Sequence, residues 1–146
     1  MNIASLLASK GSKVITIQPQ ETVRQAVALL AEHNIGALVV VDRSSSPVGI
    51  VSERDVVRSA ARNERVFSEP VASLMTKDVI IGLPHDDLAS VGHTMIERRI
   101  RHLPVMEAGQ LVGIVSIGDV VKAQRDQYQG EVETLQTQIL GDPSGP

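Results

Sequence analysis

Two copies of a Ser-x-x-Asp motif are the residues of this chain whose types and spacing point to chemistry. Ser52 and Asp55 lie in GIVSERDVV, and Ser116 and Asp119 lie in GIVSIGDVV, at an offset of 116 − 52 = 64 residues. Before an apolar run, the motif is typical of a capping box, in which the acid also favours the positive helix end. The same helix start suits a phosphate, and a carboxylate held there can accept the hydroxyls of a ribose. The two interpretations do not exclude each other.

The motif belongs to a duplication that runs through most of the chain. IASLL at 3–7 recurs as VASLM at 71–75, and NIGALVVVD at 34–42 matches RIRHLPVME at 99–107. The offset falls from 71 − 3 = 68 to 99 − 34 = 65 to 64, so the length differences fall in loops. The predicted organisation is a first repeat at 1–62, a linker at 63–70, a second repeat at 71–127, and a helical extension with a disordered tail at 128–146.

Each repeat predicts the element order helix, strand, helix, strand, strand, helix. Short β-branched strands at 14–17 and 79–81 precede proline turns, and Thr22 and either Asp86 or Asp87 can cap the helices that follow. Two apolar runs joined by a Ser/Pro or Gly turn then predict a β-hairpin. We therefore expect an α/β (α+β) fold with a small three-stranded sheet in each repeat.

The C-terminal extension carries a narrow apolar stripe. Val132, Leu135 and Ile139 recur at helical spacing there, although Gly130 weakens the helix. A stripe of this kind packs either on its own domain or on a sister subunit.

Composition excludes several classes of function. The chain has 146 residues, no cysteine, a net charge of −3 and only one Phe and one Tyr, which disfavours nucleic acid as a partner. No apolar run approaches the ~20 residues of a spanning helix, and a signal peptide is not expected, so we predict a cytoplasmic protein with no membrane partner. The four histidines lack metal-ligand spacing, and nucleophile-elbow and phosphate-loop motifs are missing. We expect neither a metal site nor an enzyme.

The whole pattern resembles a tandem pair of CBS domains, the cystathionine β-synthase-type module also called a Bateman module. The resemblance covers about Ile3 to Gln124, and GIVSERD, GIVSIGD and RHLPV are its most specific marks. It implies two repeats packed with pseudo-two-fold symmetry around two clefts that bind adenosine nucleotides. The expected ligand is AMP, ADP, ATP or NAD(H), with S-adenosylmethionine also considered, and no cofactor is required.

The resemblance also implies roles for individual residues. Asp55 and Asp119 would hold ribose hydroxyls, while Ser52 and Ser116 would reach the ribose or phosphate region. The other ligand-binding residues it implies, or that differ suggestively between the copies, are Thr16, Gly36, Ala37, Arg54, Val79, Ile80, Arg101, His102, Leu103, Pro104 and Gly118.

Both candidate arginines keep two interpretations. Arg54 and Arg101 each suit bidentate contact with phosphate, but each could equally be a solvated surface charge. The basic run ERRIR at 97–101 is more typical of a solvated helix end.

The expected function is a regulatory module that senses an adenosine nucleotide and signals to an unknown partner in trans, most simply as a homodimer. The alternative is a structural or dimerisation module with vestigial clefts and no nucleotide response. An enzyme or a nucleic-acid-binding regulator is a weaker third hypothesis.

Overall fold

The computed structural model describes the backbone of residues 1–140 and the side chains of residues 1–136. The predicted disordered tail at 141–146 lies outside the described residues. The helices are α1 (Ile3–Lys10), α2 (Val23–His33), α3 (Glu53–Ala60), α4 (Leu88–Arg98) and α5 (Ile117–Leu140). The strands are β1 (Thr16–Ile17), β2 (Ala37–Val41), β3 (Pro47–Ser52), β4 (His102–Glu107) and β5 (Gln110–Ser116). The predicted mixed α/β fold is confirmed.

The first repeat contains the predicted three-stranded sheet. Its order is β1-β2-β3, with β1 parallel to β2 and β2 antiparallel to β3. All five residues of the central strand β2 are buried, which explains its unbroken run of Ala, Leu and Val. The first strand is shorter than predicted, because only residues 16–17 of 14–17 pair with β2.

The second repeat has the predicted hairpin, β4-β5, but the prediction of a strand at 79–81 is wrong. Only Gly82 bridges the hairpin, through Gly82 N to the Pro104 carbonyl at 2.8 Å and Met106 N to the Gly82 carbonyl at 3.0 Å. In the first repeat, Val39 occupies the position equivalent to Pro104 and pairs with Thr16. Because proline has no N–H to donate, the parallel ladder stops there.

Side-chain caps fix where the helices begin. Thr22 forms a full capping box with Gln25 at the start of α2. Asp87 caps α4 by accepting from Ser90 N at 3.1 Å. Asp86, the other candidate cap, instead accepts from Leu83 N at 2.8 Å in the preceding turn.

The two repeats exchange their N-terminal segments. Ile3 and Leu7 of α1 lie in the hydrophobic core of the second repeat, beside Leu88 and Val115. Val71 lies in the core of the first repeat. We call α1 and residues 71–75 the exchanged segments. Each repeat therefore depends on the other to complete its core.

The second exchanged segment is a short 3-10 turn at Val71–Ser73 rather than a helix. It follows Pro70, and its N-terminus has no side-chain cap. Soon after the turn, the backbone of Thr76 pairs with Ile50 of β3 in both directions, at 2.8 and 3.0 Å. That pairing requires an extended chain, so the segment cannot continue as a helix.

The last helix, α5, is 24 residues long and runs into the predicted extension. Of its apolar stripe, Val132 is half-buried and Leu135 is 57% exposed, while the Ile139 side chain lies outside the described residues. Leu135 therefore stays largely exposed on α5.

Candidate functional site

A cleft of about 950 Å³ lies where the two repeats meet. One wall comes from the first repeat, where β3 ends and α3 begins. The facing wall comes from the second repeat, and consists of residues on 76–80, the end of α4 with its connection to β4, and the start of α5. We call this space the first cleft. Because the first Ser-x-x-Asp motif sits at the junction of β3 and α3, the fold places that motif in the wall.

The first motif forms a complete capping box. Asp55 N donates to Ser52 Oγ at 3.2 Å, while Ser52 N and Ser52 Oγ donate to Asp55 Oδ2 at 2.8 and 3.0 Å. The predicted capping interpretation is therefore confirmed for this copy. Both residues are half-buried and both line the first cleft. Among the described residues, the donors to this carboxylate reach Oδ2, so Oδ1 can still accept a hydrogen bond from a ligand.

The second motif repeats the cap, but its carboxylate has an additional partner. Ser116 N donates to Asp119 Oδ2 at 2.9 Å, and Asp119 N donates to Ser116 Oγ at 3.0 Å. Lys10, at the end of α1, lies 2.6 Å from the same Oδ2 through its Nζ. Burial tends to raise the pKa of Asp119, but the hydrogen bonds from Lys10 and Ser116 outweigh it and hold the pKa below its ordinary value.

The first cleft collects about half of the residues predicted to bind a ligand. Those that line it are Gly36, Ser52, Arg54, Asp55, Val79, Ile80, Arg101 and His102. Those that do not line it are Thr16, Ala37, Leu103, Pro104, Ser116, Gly118 and Asp119. Ala37, Leu103 and Pro104 are buried in the hairpins, whereas Thr16 and Gly118 are exposed. The roles of both groups in binding stay predictions.

Five arginines give the first cleft a basic character that the net charge of the chain conceals. They are Arg54, Arg58, Arg98, Arg99 and Arg101. The acidic residues of the same lining are Glu53, Asp55 and Asp78. The run at 97–101 is a helix end, as expected, since α4 stops at residue 98. Its arginines are exposed, yet they face a cleft rather than open solvent, which its composition alone could not show.

The rest of the lining is largely apolar. Sequence reasoning found only Val79 and Ile80 of this group; the residues it missed are Ile50, Met95, Ile96, Ile100 and Ile117. Four of them lie in a strand or a helix, where an apolar residue is ordinarily expected in the core, and Ile100 follows α4. No sequence signal separates them from the core, because two repeats have to meet before they share a surface.

His102 lies at the start of β4, close to both repeats. A Cβ atom added to Gly36 would make ordinary contacts with His102 Nε2 at 3.6 Å and Glu53 Oε1 at 3.5 Å, so His102 lies beside the wall of the first repeat. Burial lowers the pKa of His102, and the nearby carboxylates of Asp119 and Glu53 oppose that shift only in part. The imidazole is therefore neutral at pH 7 and can accept as well as donate one hydrogen bond.

The described residues also bear on metal binding and on membrane insertion. Within residues 1–136, no group of three or more His, Cys, Asp or Glu side chains is placed to hold a metal ion. Within residues 1–140, no helix combines the length and the apolar character needed to cross a membrane.

Comparison with known families matches the CBS domain twice along this chain, at residues 8–62 and 71–126. The chain belongs to the CBS-domain family. The predicted resemblance to a tandem CBS pair is thus confirmed. Each of the two matched ranges contains one capped Ser-x-x-Asp motif.

Two solved structures share the fold of this CBS pair, and a curated relative matches most of its length. A CBS-domain protein from Agrobacterium tumefaciens is 38% identical, with a TM-score of 0.81 over 84% of this chain and 92% of that chain. A CBS-domain protein from Pyrobaculum aerophilum, solved in complex with AMP, is 29% identical, with a TM-score of 0.72 over 82% and 89% of the two chains. The CBS domain-containing protein YhcV of Bacillus subtilis is 30% identical over 122 residues, covering 84% of this chain and 86% of that protein.

Proposed function

We propose that this CBS pair is a regulatory module that binds an adenosine nucleotide in the first cleft. One observation carries the proposal: the N-terminus of α3, with the half-buried carboxylate of Asp55, faces an arginine-rich wall across a single cleft. Ribose hydroxyls need an acceptor, and phosphates need cations and free N–H groups. The cleft offers the acceptor, Asp55, on one wall, and cations on both walls.

The ribose would bind at Asp55. Its Oδ2 is held by Ser52, so the carboxylate has one fixed orientation before any ligand arrives. A pre-oriented carboxylate loses little side-chain entropy when it accepts a hydroxyl. The capping bonds would thus orient the carboxylate that binds the ribose. Capping and ligand binding would then be two roles of the same motif.

The phosphate would bind among the arginines. Arg54 and Arg58 lie on α3, and Arg98, Arg99 and Arg101 approach from the second repeat. Guanidinium groups form charge-assisted, often bidentate bonds with phosphate oxygens. These arginines favour AMP, ADP, ATP or NAD(H) over S-adenosylmethionine, which carries a sulfonium cation and no phosphate.

The adenine would lie on the apolar part of the lining, which includes Ile80 and Ile100. Both side chains are half-buried, so a flat base can cover the apolar surface that they still expose. The Pyrobaculum relative in complex with AMP supports an adenosine ligand for this fold.

Signalling would pass to a second copy of the chain and then to a partner in trans. A groove of about 240 Å³ runs between α4 and α5, beside the exposed side chains of Ile96 and Val121. Ile96 and Ile117 line both this groove and the first cleft. A ligand that moves these two side chains would alter the surface on which a sister subunit docks.

The competing function is a structural or dimerisation module with no nucleotide response. The capping boxes and the exchanged cores account for the repeated motif without any ligand. This alternative does not explain why five arginines surround one cleft of a chain with a net charge of −3.

Thermal unfolding with AMP, ADP, ATP, NAD and S-adenosylmethionine tests the proposal. A ligand at 100 times its dissociation constant adds roughly 2.7 kcal/mol. We expect a rise in melting temperature of about 5–10 °C, at ~2–4 °C per kcal/mol for a chain of this size. Asp55→Ala should abolish this rise.

Gln25→Ala is the matched control, because Gln25 occupies the same position in the capping box of α2 but lies outside the cleft. Both variants keep the N-cap residue but lose its side-chain partner at the third helical position. Each should lose about 0.5–1.5 kcal/mol of stability, the usual net contribution of a hydrogen bond. Only Asp55→Ala should lose the response to nucleotide. A chain that responds to none of the five ligands would establish the structural alternative instead.

A further inference from the structure

The two Ser-x-x-Asp motifs are equivalent in sequence and in capping, but their carboxylates differ in charge pairing. Among the side chains of residues 1–136, Asp55 has no ion pair, whereas Asp119 Oδ2 lies 2.6 Å from Lys10 Nζ. The side chains of this pair are only 30% and 26% exposed. The second carboxylate is therefore already bound to a cation that belongs to its own chain.

The position of Lys10 is fixed by the fold. It ends α1, the exchanged helix whose Ile3 is fully buried in the core of the second repeat. Directly after it, Gly11 has a φ of 101° and turns the chain away. Lys10 Nζ also donates to the carbonyl of Ile114 at 2.9 Å, which adds a second bond to the ion pair.

In the first repeat, the residues equivalent to Lys10 and Ile114 have different partners. Ile50, the counterpart of Ile114, receives its hydrogen bond from the backbone of Thr76 at 2.8 Å. The counterpart of Lys10 at the offset of 68 is Asp78, an exposed acid that lines the first cleft. Within residues 1–136, no side chain of the second exchanged segment forms a hydrogen bond or an ion pair with Asp55.

We propose that Lys10 acts as a built-in cation that closes the second nucleotide position, so that each chain binds one nucleotide, in the first cleft. Lys10 neutralises the Asp119 carboxylate, so a ribose hydroxyl at Oδ1 would lose most of the charge assistance that Asp55 offers. A hydroxyl at Oδ2 would have to break the ion pair itself. This inference rests on the proposed function, and it predicts a CBS pair whose two repeats are alike in fold but unlike in ligand binding.

Binding stoichiometry tests the inference. Isothermal titration of the full chain with ATP and with AMP would compare wild type, Lys10→Ala and Lys13→Ala. Lys13 is an exposed lysine past the end of α1 and outside the first cleft, so it is the matched control. We expect one nucleotide per chain for wild type and for Lys13→Ala, and two for Lys10→Ala. The double variant Lys10→Ala/Asp119→Asn should return to one.

Each other outcome overturns a definite claim. One nucleotide per chain in both wild type and Lys10→Ala, or two in wild type, would overturn the role of Lys10 and leave the first cleft intact. No binding to wild type with either nucleotide would overturn the proposed function itself, and this inference with it. Thermal unfolding of each variant would check that it is folded, and Lys10→Gln would replace Lys10→Ala if the latter were not.

Discussion

Gly113 lies directly under the side chain of Leu7. A Cβ atom at this glycine would stand 2.7 Å from Leu7 Cδ1 and 2.8 Å from Cδ2, closer than real Cβ contacts allow. Gly49 has the same relationship to Met75, with 2.6 Å to Sδ. Leu7 and Met75 both belong to exchanged segments, and their positions differ by the repeat offset of 68. The glycine that opens each GIVS stretch is therefore the place where the other repeat's segment crosses the hairpin.

Replacement of Gly113 by alanine should destabilise the protein, because the new methyl group overlaps with Leu7. Overpacking of this kind costs about 1–3 kcal/mol. Urea denaturation of Gly113→Ala, Leu7→Ala and the double variant would measure it. Since each change relieves the other, we expect a coupling of about 0.5–3 kcal/mol between the two sites.

Gly130→Ala is the control for this prediction. Gly130 lies in α5, and an added Cβ would have nothing within 4 Å. Alanine is a better helix former, so this variant should gain up to about 1 kcal/mol rather than lose stability. Additive effects of Gly113→Ala and Leu7→Ala would show that the close contact does not govern stability.

Removal of an arginine from the first cleft should weaken nucleotide binding according to the number of phosphates. A bond to a charged group contributes about 1.5–3 kcal/mol, but Arg54 and Arg101 are exposed, so we expect roughly tenfold weaker ATP binding for Arg54→Gln or Arg101→Gln. AMP should be affected less, and adenosine least. A higher salt concentration should also weaken the binding of ATP most, that of AMP less and that of adenosine least. Titration calorimetry at two ionic strengths would measure these differences.

Arg43→Gln provides the matched control, since Arg43 is exposed at the turn between β2 and β3 and does not line the cleft. It should leave the affinities for all three ligands unchanged. Equal weakening of adenosine and ATP by the cleft variants would contradict a phosphate contact.

The stability of the protein should depend on pH through His102. Burial lowers the pKa of this imidazole, and Lys10 and Arg101 add to that effect. The unfolded chain, with a pKa of about 6.5, thus takes up a proton at higher pH than the folded chain. Its contribution to the free energy of unfolding is complete above that pH and is lost as the pH falls below it. His102→Gln should reduce this slope below about pH 6.5.

Denaturation at several pH values would measure the slope, with His85→Gln, an exposed histidine outside the cleft, as the control. A bound phosphate would favour the imidazolium form, so ligand should raise the pKa of His102 in an NMR titration. An unchanged slope in His102→Gln would show that other groups cause the pH dependence.

Much of the fold could be predicted because its signals are local. The repeat offset, the alternation in the hairpins and the caps at Thr22, Ser52 and Asp87 each depend on residues a few positions apart. The predictions that failed concern segments whose structure depends on residues distant in the sequence. Residues 79–81 have the composition of a strand, but Pro104 on the facing strand cannot donate to them.

The candidate site divides in the same way. The sequence by itself determined both Ser-x-x-Asp caps, since a helix start and its side-chain partner lie within four residues. Tertiary structure decided which cap faces an open cleft. Lys10 and Asp119 are separated by 109 positions, and only the exchange of α1 into the second repeat brings them together. Likewise, arginines of both repeats line one cleft because the repeats pack against each other, and no local sequence pattern predicts that packing.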